Sequence, residues 1–280
     1  MKKSWLNGKT VVVSGASGGL GFNVSKMLIE KYGCNVIGIA RNEKKMLNSI
    51  EQLGNNKDKF SYRLFDVSVQ QNWKDFYAYL VANDVKIDVL INNAGFMLPF
   101  AKFEKYSENE IAEIVNTNFL ANVYAIRTLL PLLKQSETPA IINVSSAAGL
   151  CAVVGESMYC ATKFAMRGFT ETLIQEYKGK IYVGGVYPGF IKTDILNRMS
   201  VTDKNNNLIQ KMMMPVEKAT KKITRGMHKR KKRMVMGFDG RSMSFFGRIM
   251  PYATPSIVRS VLKTSKLELF NEVFDNEKGE

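Results

Sequence analysis

The sequence predicts an α/β protein built on one doubly wound domain, with a seven-stranded parallel sheet and a helical C-terminal extension. Three observations lead there. Short β-branched apolar runs alternate with helix-length amphipathic stretches, the pattern of a parallel sheet wrapped by helices. Two runs, Val11-Val12-Val13 and Val89-Leu90-Ile91, are continuous, as strands buried on both faces require. A glycine cluster stands at the first strand-to-helix junction.

Strands are expected over 10–14, 35–40, 60–65, 87–91, 140–144, 181–186 and 234–236, and helices over 19–32, 43–53, 70–81, 108–133, 157–177 and 216–227. The first strand runs into the glycine loop, and a helix follows at once. The second ends at Ala40-Arg41, the third at Asp66-Val67, and the fourth at Asn92-Asn93-Ala94-Gly95. The long helix 108–133 contains Asn116-Thr117-Asn118-Phe119, and the fifth strand opens into Ser145-Ser146 ahead of helix 157–177. After the sixth strand, the segment from about 190 to 215 is polar in its middle and ends in Met212-Met213-Met214, and a connection that long reads as a lid. Residues 1–237 are therefore expected to form the binding and catalytic domain. Residues 238–280 form an extension with helical tracts near 241–250, 255–262 and 266–274.

Composition narrows the class. With 280 residues, 45% of them hydrophobic and 23% charged, the chain is globular, not disordered, collagenous or a disulfide-framed miniprotein. No stretch reaches the roughly 18 apolar residues of a spanning helix, and Met1-Lys2-Lys3 is not followed by a signal-peptide core, so a cytoplasmic protein is expected. Cys34, Cys151 and Cys160 lack metal-like spacing and read as free thiols. A single His228 argues against a zinc site and against a Ser-His-Asp hydrolase; no metal is expected. Residues 204–266 carry 16 Lys and Arg against two acids, which is +14 of the net +15. Phe245, Phe246, Ile249, Tyr252 and Ile257 are interleaved with Arg241, Arg248, Arg259 and Lys263, so peripheral membrane contact is the alternative to a solvated charge run. Nucleic acid is not expected, because no recognition motif accompanies the charge.

The loop Ser14-Gly15-Ala16-Ser17-Gly18-Gly19-Leu20-Gly21 lies between a buried strand and a helix. Glycines there let the backbone approach a pyrophosphate, whose charge meets the unpaired N–H groups of the helix N-terminus. A dinucleotide is the expected ligand. The absence of a GK[ST] sequence excludes a P-loop. Where an acid would grip the ribose of NAD stands Ala40, followed by Arg41, which suits a 2′-phosphate and points to NADP(H); Lys44 or Lys45 can contribute.

Tyr159 and Lys163 are four residues apart, on one helix face, and Ser146 precedes Tyr159 by 13 positions at the C-terminal edge of the fifth strand. A carbonyl accepting hydride needs a proton, which a phenol can donate. Because tyrosine's ordinary pKa is about 10, a nearby ammonium is required to lower it, and Lys163 is placed to do so. Ser146 would hold the substrate oxygen. Asn118 would order a proton-carrying water. Ser145 is a rival for the serine role, but the spacing favours Ser146.

With these motifs the chain resembles the short-chain dehydrogenase/reductase family from Lys9 to about Met236. The matching residues are Gly15, Gly19 and Gly21, Asp66-Val67, Asn92 to Gly95, Asn118, Ser146, Tyr159 with Lys163, and Pro188-Gly189 with Thr193. The resemblance implies a Rossmann fold, adenine contacts from Asp66 and Val67, and a cofactor wall from Asn93, Ala94 and Gly95. It also implies nicotinamide contacts from Ile191 and Thr193 beside Pro188 and Gly189. Asn118, Ser146, Tyr159 and Lys163 would form its catalytic tetrad, Lys163 also bonding the nicotinamide ribose, with Ser17, Gly18 and Leu20 in the cofactor loop. Ser14 departs from the family's frequent Thr but keeps the hydroxyl.

The substrate is expected to border Phe96 to Phe100, Leu150 to Val154, and a lid with Ile195, Leu196, Met199, Leu208 and Ile209. Apolar, Met-rich walls suit a bulky lipophilic ketone or secondary alcohol, a hydroxysteroid or lipid-derived carbonyl. The family habit of pairing Tyr-bearing helices implies a homodimer or homotetramer. A non-catalytic NADP(H)-binding regulator or a membrane-surface adaptor is the alternative class, and the intact tetrad argues against it.

Overall fold

The computed structural model describes residues 4–192, 213–265 and 267–274. Its seven strands are β1 (Thr10–Ser14), β2 (Asn35–Ala40), β3 (Phe60–Leu64), β4 (Val89–Asn92), β5 (Ala140–Val144), β6 (Tyr182–Pro188) and β7 (Arg233–Met236). All pair in parallel in the order β3-β2-β1-β4-β5-β6-β7. The order reverses between β1 and β4, and ligands of open α/β sheets bind beyond the strand ends at such a reversal.

Helices cover both faces. On one, α1 (Gly19–Tyr32) packs beside α7 (Val216–His228), over a core that includes Val11, Val13, Leu28, Ile91 and Ile223. On the other, α3 (Gln70–Ala82), α5 (Ala121–Leu133) and α6 (Ser157–Glu176) cover Val12, Trp73, Leu90, Leu129 and Ile141. β1 thus sends alternate valines to opposite cores, the physical reason for its unbroken apolar run.

Most boundaries shift by only a residue or two from the sequence expectation. The second helix, α2 (Glu43–Glu51), stops early and is followed by a tight 3-10 stretch at Gly54–Lys59, entered through Gly54 at φ +55°. β6 extends to Pro188, tolerable because proline's missing N–H falls at the strand's last residue. The single helix expected over 108–133 is instead α4 (Glu108–Val115), a π turn at Asn116–Leu120, and α5. Asn122 donates its side-chain amide to the Asn118 carbonyl at 2.8 Å, competing with the backbone ladder where it widens.

Beyond β7 come α8 (Phe238–Ile249), α9 (Ala253–Ser265) and a short α10 (Asn271–Phe274). The end of this extension packs onto the body. Phe270 meets Phe100 edge-on at 4.7 Å, and both belong to a cluster with Leu98, Ile114, Tyr159 and Val273. The expected lid lies almost wholly outside the described residues, as do Thr193, Ile195, Leu196, Met199, Leu208, Ile209 and Met212. Its two ends are pinned together: Lys192 N–H donates to the Met214 carbonyl at 3.0 Å and Met214 N–H to the Phe190 carbonyl at 2.9 Å.

Candidate active site

Gly15 turns the chain out of β1 at φ +67°, a left-handed conformation that suits glycine. Gly21 packs against it so closely that a Cβ would collide with the Gly15 carbonyl and the Asn93 amide. At Gly18 nothing lies near a Cβ position, so this part of the loop faces open space. The N-terminus of α1 has no side-chain cap and no acid in its first turn. Its free N–H groups and dipole are therefore available to an anion, and the loop fits a dinucleotide pyrophosphate.

The Ser14 hydroxyl accepts from the backbone N–H groups of Asn93 and Ala94, each at 3.0 Å, while Asn93 Nδ2 donates to the Ser14 and Gly15 carbonyls at 3.0 and 3.3 Å. The loops after β1 and β4 are thereby locked together. Asn118 fastens the far side of the same strip: Phe96 N–H donates to its Oδ1 at 2.9 Å, and its Nδ2 donates to the Phe96 carbonyl at 2.8 Å. Asn118 is fully buried and lies outside the cavity lining, and its side chain is turned to the protein. Its Nδ2 also donates to Thr162 Oγ1 at 3.4 Å, so the side chain ties the Asn93–Phe96 wall to α6.

Leaving β5, Ser145 Oγ donates to the Lys163 carbonyl at 2.8 Å. Ser146 Oγ instead accepts from Ala148 N–H at 3.2 Å, and Ser146 lines the cavity together with Tyr159. The neighbouring serines thus have different tasks, and Ser146 is the one beside Tyr159. Lys163 Nζ lies 5.4 Å from the centre of the Tyr159 ring and donates to the Val144 carbonyl at 3.4 Å. Burial lowers the Lys163 ammonium to about 8. Tyr159 departs from the sequence expectation: burial pushes its hydroxyl above the ordinary value and Glu156 adds to the rise, while the Ser146 hydroxyl works against it. Taking a phenolate out of water is the largest of these effects.

These groups line one cavity of about 350 Å³, within the range of small-molecule sites. Gly15, Ser17, Gly18, Gly19 and Leu20 form one end, with Asn93, Ala94 and Gly95 beside them. Ser146, Tyr159 and Lys163 line the cavity too, as do Pro188, Gly189 and Ile191. Gly21 supports the loop from beneath. Arg41 and Asp66 lie outside the lining and form an ion pair at 3.3 Å. Burial alone would raise the Asp66 carboxyl, but hydrogen bonds from Ser68 and the Arg41 charge hold it below its ordinary value. Val67 buries its side chain in the core.

The expected substrate walls divide. Phe96, Met97 and Val153 line the cavity. Leu98 and Phe100 instead serve as the seat of the C-terminal extension, and Leu150 and Cys151 pack against α8 at Gly247. Sequence reasoning missed Glu156, Asp239 and Met243 in the lining. Asp239 accepts from Phe190 N–H at 2.7 Å and fixes the chain after β6. Nothing in the sequence marks the acid just ahead of helix 157–177 as buried, and Met243 reaches the site only because α8 folds back.

A doubly wound sheet with a glycine-lined crevice at its reversal and a Ser–Tyr–Lys set on its wall defines the architecture of a nicotinamide-nucleotide oxidoreductase. Residues 9–204 match the family model for the short chain dehydrogenases, and the chain belongs to that family. It is 31% identical over 203 residues to an uncharacterized oxidoreductase of Staphylococcus saprophyticus, covering 71% of this chain and 81% of the relative. It is 30% identical over 197 residues to the 3-oxoacyl-(acyl-carrier-protein) reductase FabG of Rickettsia felis, covering 70% and 78%. Among solved structures, a Burkholderia phymatum short chain dehydrogenase/reductase in complex with NAD superposes with TM-score 0.73 at 20% identity, covering 84% of this chain and 90% of that one. The alcohol dehydrogenase of Thermococcus sibiricus, complexed with 5-hydroxy-NADP, does so with TM-score 0.69 at 21% identity, covering 81% and 93%.

Proposed function

We propose that this protein interconverts a ketone and a secondary alcohol on a bulky lipophilic substrate, using NADP(H). The observation that carries the reading is that Ser146, Tyr159 and Lys163 line one largely apolar cavity, with Lys163 Nζ 5.4 Å from the centre of the Tyr159 ring. The α1 N-terminus and the glycine loop would hold the pyrophosphate, and Lys163 the nicotinamide ribose. When bound, the nicotinamide supplies or accepts the hydride.

Everything else is the work of the chain's own groups. Ser146 Oγ orients the carbonyl oxygen and Tyr159 donates its proton to it, running in reverse for oxidation. A phenol held above its ordinary pKa stays protonated at neutral pH, the form that reduction needs. Lys163 supplies positive charge to the phenolate left behind. Arg41, exposed at the end of β2, and Lys45 in the cavity lining support the 2′-phosphate assignment. Of the two substrate classes expected, a lipid-derived carbonyl is favoured by the FabG relatives, whose name specifies 3-oxoacyl groups. Replacing Tyr159 with Phe should cost at least about a hundredfold in turnover while NADPH still binds. Near-normal turnover would remove Tyr159 from the chemistry.

A second reading concerns where the enzyme works. On α8 and α9, Phe238, Phe245, Ile249, Ile257 and Val261 are more than half exposed, as is Tyr252 between them, in the most basic part of the chain. An anionic bilayer surface would cover such a face. Assembly into a homodimer or homotetramer through α6 is supported by the exposed Phe164 on that helix.

A further inference from the structure

Glu156 has no task in the chemistry described above, yet it lines the same cavity. It stands at the N-terminal boundary of α6 without capping that helix. Only 4% of the residue is exposed, and its Oε1 has no hydrogen-bond partner. A buried carboxyl oxygen left unpaired is disfavoured, so its retention calls for a ligand group to complete it. Val153, Phe96 and Met97 provide apolar lining in the same cavity. The titratable groups that sense its charge are Tyr159, Cys160 and Tyr106, none of them a cation. Burial raises the Glu156 carboxyl to about 8, so at neutral pH it carries a proton and offers one O–H donor and one carbonyl acceptor.

Tyr159 follows Glu156 by three positions, both line the cavity, and the Glu156 charge acts on the Tyr159 hydroxyl, so the two groups are neighbours. A substrate whose reacting carbonyl lies against Tyr159 therefore brings atoms a few bonds away to Glu156. We propose that Glu156 is a specificity residue that recognises a second oxygen function, a hydroxyl or carbonyl, close to the reacting carbonyl of a lipophilic substrate. This rests on the carbonyl-reductase reading of the cavity and narrows it. A plain hydrocarbon ketone would leave the carboxyl unsatisfied, and sites built to hydrogen-bond a polar group discriminate against analogues that lack it.

The test is calorimetric binding to the full-length protein saturated with NADP+, where ketones bind without being reduced. The pair compared is 4-methyldecan-2-one and 4-hydroxy-4-methyldecan-2-one, whose tertiary β-hydroxyl NADP+ cannot oxidise. Wild type should bind the hydroxyketone about threefold to tenfold more tightly, the span of one neutral hydrogen bond. Glu156→Gln should keep the preference, since an amide also donates and accepts. Glu156→Leu should abolish it, with NADP+ affinity unchanged. Equal binding of the two ketones by wild type, or a preference that survives in Glu156→Leu, overturns the proposal. Turnover with NADPH is followed separately. Binding preference without turnover would sink the reductase reading and leave the recognition role standing, whereas turnover with equal binding would sink the recognition role alone.

Discussion

Glu156→Gln should stabilise the protein in the absence of ligand and change how its stability depends on pH. The wild-type carboxyl has an ordinary pKa of 4.5, and burial raises it to about 8. Between those values the folded state holds a proton that the unfolded chain has lost, so stability falls as pH rises through this window. At pH 7 the unfolded group has been ionised across about 2.5 units, and at about 1.4 kcal/mol per unit the penalty is roughly 3 kcal/mol. Above about pH 8 both states are ionised and the penalty stops growing, while below pH 4.5 it vanishes. Gln carries no such penalty. Urea unfolding of wild type and variant, followed by circular dichroism at several values between about pH 5 and pH 8, should show a gap that widens steadily with pH. The m-values should match. A gap of constant size across that range would mean that the carboxyl is solvated, and would refute the burial argument.

Lys163 is lowered from 10.5 to about 8 by burial, so its penalty is complete below pH 8 and disappears as pH rises toward 10.5; Lys163→Met should gain roughly 3 kcal/mol at pH 7 and lose turnover. Equal stability of variant and wild type at pH 7 would contradict it. Arg41→Asp should shift preference from NADPH to NADH by at least about tenfold in kcat/KM, through loss of a charge-assisted phosphate contact. An unchanged ratio removes Arg41 from cofactor choice. In flotation, the protein should rise with vesicles rich in phosphatidylserine and stay down with phosphatidylcholine alone, and Phe245→Ser with Ile249→Ser should abolish the difference.

Local signals wrote most of the framework. Val11 to Val13 required a strand buried on both faces, and the glycines after Ser14 required a tight turn into a helix. Tyr159 and Lys163 needed only helical spacing to share a face, and Ser146 only its position at a strand end. What depends on distant chain was not legible. That Ser145 is spent on the Lys163 carbonyl, that Asn118 holds Phe96, and that Leu98 and Phe100 seat Phe270 all follow from contacts between residues far apart in sequence. The acidity of the site belongs to this second group. A side chain's type sets its ordinary pKa, but only the packed surroundings decide how much water reaches it, and burial moves Tyr159, Glu156 and Lys163 all toward their neutral forms.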